Sequence, residues 1–132
     1  MGKPPYLLDT HALVWALTEP RRLSRKAKNA LESWDSVLLA SAASAYELSY
    51  KRRMGRLPGL DGLFVGYRRH VLELVSEEIG ISGVHALEAG QLDWGHRDPF
   101  DRLIAVQALV EGFGLITADP PFRDVEGLDV LW

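Results

Sequence analysis

Five carboxylates in this sequence have types and spacings that suit one shared chemical site. Asp9 ends the short apolar run YLLD, and Asp119 ends a second apolar run, GLITAD. Asp98 and Asp101 stand three residues apart at the start of an apolar helical pattern, so both lie on one face of that helix. Glu47 lies in the first turn of a predicted helix that follows the apolar run SVLLAS. Acidic groups placed in this way could converge on a metal ion.

The residue types also indicate which metal this would be. Carboxylates that converge repel one another, and a cation among them relieves the repulsion. The sequence has no cysteine, so thiolate ligands are excluded. Oxygen ligands alone point to Mg²⁺ or Mn²⁺. Such an ion activates water and stabilises charge on a phosphoryl group during in-line attack, so the chemistry suggested is hydrolysis of a phosphate ester.

Three of these carboxylates also have structural explanations at helix starts. Asp98 precedes Pro99 and is a good N-cap, a role that is compatible with binding a metal. Asp101 in the first turn complements the positive end of the helix dipole. Ser44 and Glu47 have the spacing of a capping box. Each signal taken alone is therefore weak.

The other two carboxylates, Asp9 and Asp119, end predicted strands. Asp119 precedes Pro120 and could simply begin a turn. Asp9 is harder to explain as a cap alone, because a charge between YLL and an apolar helix stands close to the core. Thr10 and Thr117 lie near these acids in the sequence and could fix their orientation through hydrogen bonds.

Histidines and tryptophans give weaker signals. His96 is close enough in sequence to Asp98 to join the site, although a lone histidine is more often a surface or structural residue. The remaining histidines are weaker candidates still: His11, His70 and His85. The four tryptophans fit core or dimer contacts better than platforms for stacked bases: Trp15, Trp34, Trp94 and Trp132.

Short apolar runs alternate with helical patterns along the whole chain. Strands are predicted at 6–9, 36–41, 114–119 and 128–132, with a weak one in 77–82. Helices are predicted at 11–17, 25–34, 44–55, 60–74, 83–92 and 99–112. This alternation predicts an α/β sandwich with a mostly parallel sheet. Ligands in such folds bind beyond the carboxyl ends of the strands, where the strand order reverses.

Length and composition predict one domain spanning residues 1–132, because 132 residues with 47% hydrophobic content suffice for a single substantial core. The net charge of −3 excludes a strongly basic nucleic-acid-binding domain. Basic clusters at 21–28, 51–56 and 67–69 are more typical of solvated helix faces. No apolar run approaches the roughly 20 residues of a membrane span, so we expect a soluble, cytoplasmic protein without a membrane partner.

Four stretches together resemble the PIN-domain family, and within it the VapC-like toxin ribonucleases of type II toxin–antitoxin systems. They occur in the family's order: LLDTHALVWAL, SAASAYELSYKRRMGRL, HRDPFDRLIAVQAL and LITADPPF. The resemblance implies a PIN-like three-layer α/β/α sandwich and an endoribonuclease that hydrolyses RNA with Mg²⁺ or Mn²⁺. It also implies a homodimer and a VapB-like antitoxin whose tail occludes the acidic pocket.

The resemblance assigns a role to each of the five carboxylates. Asp9, Glu47 and Asp101 match the three principal acids of the family, and Asp119 matches a more variable fourth. Asp98 is a second candidate beside Asp101, because many relatives have a single aspartate there. The four aspartates would hold the metal, and Glu47 would bind it or orient the attacking water.

Basic residues and rival functions complete the expectations. Arg52, Arg53 or Arg102 could neutralise substrate phosphates that the acidic site would otherwise repel. A phosphatase of the haloacid-dehalogenase type also starts from an aspartate after the first strand, but it would need a second acid where His11 stands. A catalytically silent module that only binds a partner stays open, because the acids could remain as caps.

Overall fold

Residues 3–132 are described by a computed structural model of the chain, in which strands and helices alternate. The strands are β1 (Tyr6–Leu8), β2 (Leu38–Ser41), β3 (Glu77–Ile79), β4 (Gly114–Ile116) and β5 (Val130–Leu131). The helices are α1 (Thr10–Thr18), α2 (Arg25–Glu32), α3 (Ala42–Arg53), α4 (Asp61–Phe64), α5 (Tyr67–Leu74), α6 (Gly83–Gln91) and α7 (Pro99–Glu111). Short 3-10 helices span Pro20–Arg22 and Pro120–Asp124. Within 3–132, no helix has both the length and the apolar character that crossing a membrane requires.

The five strands form one sheet in the order β3-β2-β1-β4-β5, and every pair is parallel. The prediction of a mostly parallel sheet is therefore confirmed. Because parallel sheets are covered on both faces, their central strands are continuous apolar runs, as in YLL of β1 and GLI of β4. The chain passes from β1 to β2 on one side and returns with β4 on the other. The strand order thus reverses between β1 and β4, and this is the place where such sheets bind ligands.

Side chains alternate between the two faces of the sheet, and each face has its own core. Leu8 and Ile116 pack with residues of α1, α2 and α5 on one face. Leu7 and Leu115 pack with residues of α3 and α7 on the other face. The predicted three-layer α/β/α sandwich is therefore confirmed. In the second layer α6 packs against α7.

The prediction of one helix over 60–74 is wrong, because the segment forms α4 and α5 with a break between them. Val65 is extended, and Gly66 has φ of 73°, a left-handed conformation that glycine adopts without a steric penalty. The apolar spacing continues across the break because Leu63 and Val71 are both buried on the core side. Periodicity alone therefore does not reveal the break.

The start of α3 differs from the prediction and changes the interpretation of Glu47. The N-cap is Ser41, the last residue of β2, whose hydroxyl accepts a hydrogen bond from the N–H of Ala43 at 3.0 Å. Ser44 lies inside the helix and is fully buried, so the predicted Ser44–Glu47 capping box is wrong. The helix also ends at Arg53 rather than at 55. Strand and helix follow each other directly, so the cap falls on the strand's last residue.

Candidate metal centre

Asp9 follows β1 at the carboxyl edge of the sheet and is almost fully buried, with 3% of its surface exposed. It is the N-cap of α1, since one carboxylate oxygen accepts the N–H of Ala12 at 2.7 Å. The other oxygen accepts a hydrogen bond from the hydroxyl of Thr117. The pKa of Asp9 is raised to about 6, chiefly by burial and further by the charges of Asp119 and Glu47. The two hydrogen bonds lower this pKa but do not offset the effect of burial.

Asp119 lies beside Asp9, although not at the end of a strand as predicted. β4 ends at Ile116, and Asp119 follows as the residue before the 3-10 helix Pro120–Asp124. Its own N–H donates to the hydroxyl oxygen of Thr117 at 3.0 Å, while its carboxylate makes no capping hydrogen bond. Thr117 therefore orients the Asp9 carboxylate and the backbone of Asp119 at once. The hydrogen bond predicted between Thr117 and a carboxylate is therefore present, with Asp9 as the acceptor.

Asp98, Asp101 and His96 form a second group at the start of α7. One oxygen of Asp98 caps the helix by accepting the N–H of Phe100 at 2.9 Å and of Asp101 at 3.2 Å. The Nε2 of His96 lies 2.7 Å from an oxygen of Asp101. One ligand atom from each of the three residues lies within 4.8 Å of the others. Burial raises the pKa of Asp101 to about 6, the His96 hydrogen bond opposes this, and the charges of Asp98 and Glu47 add to it.

Glu47 connects the two groups. Its charge raises the pKa of both Asp9 and Asp101, and only 2% of its surface is exposed. One carboxylate oxygen pairs with the ammonium of Lys51, one helical turn later on α3. Within residues 3–132 nothing hydrogen-bonds to the other oxygen, Oε1, although it is buried. Glu47 is thus electrostatically coupled to both groups, and we call the five candidate carboxylates, with His96, the acidic centre.

The acidic centre fits a divalent cation by the nature of its donors. Its carboxylate oxygens suit Mg²⁺ or Mn²⁺, and the Nε2 of His96 is engaged with Asp101. A buried carboxylate oxygen without a partner is unfavourable unless something binds it. The raised pKa values of Asp9 and Asp101 reflect the same unrelieved burial of negative charge. The metal role of the five acids stays a prediction, with these observations in its favour.

Two contacts around the centre differ from the expectations. Thr10 does not orient a carboxylate, because its hydroxyl bonds to that of Ser44 at 2.9 Å and ties α1 to α3. Lys51 had no role in the sequence interpretation. The signal that could have indicated it is the four-residue spacing from Glu47, which places an acid and a base on one helical face.

Arg102 does not point to a substrate, so its predicted role in binding phosphate is wrong. Its guanidinium donates to four backbone carbonyls at 2.6–3.0 Å and thereby holds the segment between α6 and α7. Arg52 pairs with Asp61 at 2.9 Å and lies over the ring of Phe64. Arg53 is exposed and stays a candidate for contacting phosphate.

We expect Arg102→Met to lower the free energy of unfolding by roughly 2–4 kcal/mol, because four carbonyls lose charge-assisted hydrogen bonds. The loss stays below the sum of four such bonds because Arg102 is only partly buried and water replaces part of what the guanidinium donated. Urea unfolding followed by circular dichroism measures the change. Arg53→Met on the exposed end of α3 is the matched control and should change stability by less than about 0.5 kcal/mol. Equal effects of the two substitutions would contradict the structural role of Arg102.

Comparison with known proteins gives similarities in both sequence and fold. The chain matches the PIN domain family over residues 6–128. It is 34% identical over 118 residues to Ribonuclease VapC22 of Mycobacterium tuberculosis. The aligned region covers 89% of this chain and 88% of that protein.

Two solved structures show the same fold. VapBC2 from Rickettsia felis bound to a DNA fragment from its promoter has a TM-score of 0.71 and 21% identity over 95% of this chain and 96% of that one. A toxin–antitoxin complex from Klebsiella pneumoniae has a TM-score of 0.61 and 21% identity over 93% of this chain and 94% of that one. At such identities the likeness concerns the fold alone.

Proposed function

Because this chain belongs to the PIN-domain family, we propose that it is an endoribonuclease that hydrolyses RNA phosphodiester bonds at the acidic centre with Mg²⁺ or Mn²⁺. The observation that carries the proposal is the position of Asp9 and Asp119 after β1 and β4, where the strand order reverses, with a buried, unpartnered Glu47 oxygen whose carboxylate is coupled to both Asp9 and Asp101. The ribonuclease name of the 34% identical relative supports the choice of RNA as substrate.

The residues of the acidic centre would divide the work of binding. Asp9 and Asp119 on one side and Asp98 and Asp101 on the other would hold the cation, and the unpartnered oxygen of Glu47 would bind it or orient the attacking water. A bound divalent cation would lower the pKa of that water and stabilise charge on the phosphoryl group.

The residues around the carboxylates would keep them in place during the reaction. Thr117 holds the Asp9 carboxylate through its hydroxyl. His96 holds Asp101 through Nε2 in the same way. Lys51 neutralises Glu47, which reduces the repulsion that a phosphate group meets on approach.

We expect the purified protein to cleave single-stranded or structured RNA when Mg²⁺ or Mn²⁺ is present and to stop when EDTA is added. Excess metal should restore cleavage, because the carboxylates alone provide neither an activated water nor charge neutralisation. Gel analysis of a broad panel of RNAs measures this. A panel left intact with both metals, by protein free of any partner, would instead favour a catalytically silent binding module.

We further propose that the protein is a cytoplasmic toxin that forms a homodimer and is inhibited by a VapB-like antitoxin. The support is the similarity to a VapC ribonuclease and to the structures of a VapBC complex and a toxin–antitoxin complex. Co-expression with the product of the neighbouring reading frame tests the partner. A small protein that co-purifies and suppresses cleavage is the expected result.

A further inference from the structure

A cavity of about 290 Å³ opens beside the acidic centre, and two of the carboxylates line it. The start of α1 contributes Asp9, His11 and Trp15, and the segment after β4 contributes Ala118, Asp119 and Pro120. The cavity is therefore continuous with the centre. Its volume is at the lower end of pockets for small ligands, which suits one flat group rather than a folded chain.

Two stacked rings line this cavity. His11 and Trp15 lie one helical turn apart on α1, with ring centroids 5.9 Å apart and planes 26° from parallel. Trp15 is half-buried, packs against Trp132 and lies under the guanidinium of Arg22 at 4.4 Å. His11 is exposed at the cavity. The tryptophan thus fixes the position of the histidine and leaves that ring open to a ligand.

We propose that this cavity binds one unpaired base of the RNA, stacked on His11, directly beside the phosphodiester bond that is cleaved. The inference rests on the proposed ribonuclease function and adds to it a site for the base next to the cleaved bond. Unpaired bases stack on aromatic side chains, histidine included, and such stacking tolerates different base identities. The carboxylates that share the cavity wall would place the neighbouring phosphate at the acidic centre.

The structure favours an unpaired base over a helical substrate for a steric reason. The rings of His11 and Trp15 line a concave space shared with Asp9 and Asp119, so a base must leave its helical stack to reach them. A base in a duplex is already stacked on both faces and cannot occupy this position without flipping out. His11 is therefore a positioning residue, since it contacts the base and not the reacting atoms.

The test compares three variants on two kinds of substrate. His11→Ala removes the ring, His11→Phe keeps an aromatic face, and Trp34→Ala removes an exposed aromatic residue outside the cavity. One substrate is a short single-stranded oligoribonucleotide that the wild type cleaves. The other kind carries one abasic nucleotide in place of a base that flanks the cleaved bond, and each flanking base is replaced in a separate substrate.

We expect His11→Ala to lower kcat/KM on the intact substrate about fivefold or more, the fold-change expected for the loss of one stacked base. His11→Phe and Trp34→Ala should stay within about twofold of the wild type. On the substrate that lacks the stacked base, wild type and His11→Ala should cleave equally. The proposal would be overturned if His11→Ala lowered kcat/KM by the same factor on every abasic substrate as on the intact one, because the variant and the missing base would then act independently.

A binding measurement separates this proposal from the proposed function. Without metal, an oligoribonucleotide with 2-aminopurine at the stacked position should lose fluorescence on binding wild type and lose less on binding His11→Ala. His11-dependent quenching without cleavage of any RNA would reject the ribonuclease and keep the base site. Cleavage that is indifferent to His11, or a variant that loses only antitoxin binding, would reject the base site and keep the ribonuclease.

Discussion

Asp9→Asn and Asp101→Asn should each slow RNA cleavage by roughly 100-fold or more and, in metal-free protein at pH 7, should increase stability. Activity falls because metal-assisted charge stabilisation is worth several kcal/mol, and about 1.4 kcal/mol corresponds to a factor of ten. Stability rises because both carboxyl groups are buried, with their pKa raised to about 6, so ionising them opposes folding. Asparagine removes the charge and, at position 9, can still cap α1.

Initial rates of cleavage and urea unfolding in EDTA measure the two effects on the same preparations. Asp93→Asn is the matched control, since Asp93 is exposed and lies outside the acidic centre. It should change neither quantity appreciably. A variant at position 9 or 101 that loses activity and stability together would show that its carboxylate serves the fold rather than a metal.

The metal-free protein should become less stable as the pH rises from about 4 to about 7. An unfolded aspartate titrates near 3.8, whereas burial raises the folded pKa of Asp9 and of Asp101 to about 6. Between these values the folded protein binds more protons than the unfolded chain, so the free energy of unfolding falls with rising pH. A shift of about two units corresponds to roughly 3 kcal/mol for each group taken alone, and the full loss is reached above the folded pKa.

Urea unfolding in EDTA at pH 4, 5, 6 and 7 measures this dependence. The difference in stability between wild type and Asp9→Asn isolates one carboxyl group from the other titrating residues, and it should grow in favour of the variant over this range. Mn²⁺ at pH 7 should stabilise the wild type more than the variant. A wild type that gains stability relative to Asp9→Asn as the pH rises would mean that the carboxylate is already compensated without metal.

The sheet and its acidic edge could be predicted because their signals are local. Strands buried on both faces are continuous apolar runs, and an acid directly after such a run lies at the carboxyl edge of a parallel sheet. Asp9 satisfies this rule at β1, and Asp98 before Pro99 satisfies the local rule for an N-cap. Ser44 satisfied a local rule as well, yet tertiary packing buried it against Thr10. Two nearby serines compete for one cap, and sequence spacing does not decide between them.

Contacts that join distant segments could not be predicted in the same way. Arg102 binds backbone carbonyls, and every residue carries a carbonyl, so the sequence does not mark its partners. The role proposed for His11 depends on the cavity that it lines together with Asp119, and this cavity exists only once β4 pairs with β1. The unpartnered oxygen of Glu47 likewise emerges only from the packing around it.

The hydrogen bond from Thr117 to Asp9 joins residues 108 positions apart, and it has a consequence for biosynthesis. β1 is synthesised before β4 and can pair with it fully only after residue 116 has been synthesised. A chain that ends before Gly114, whether it is still growing on the ribosome or truncated, lacks Thr117 and Asp119 and therefore one edge of the centre. The protein therefore acquires its complete set of acids only after residue 119 has been synthesised and β4 has paired with β1, so shorter products carry no assembled acidic centre.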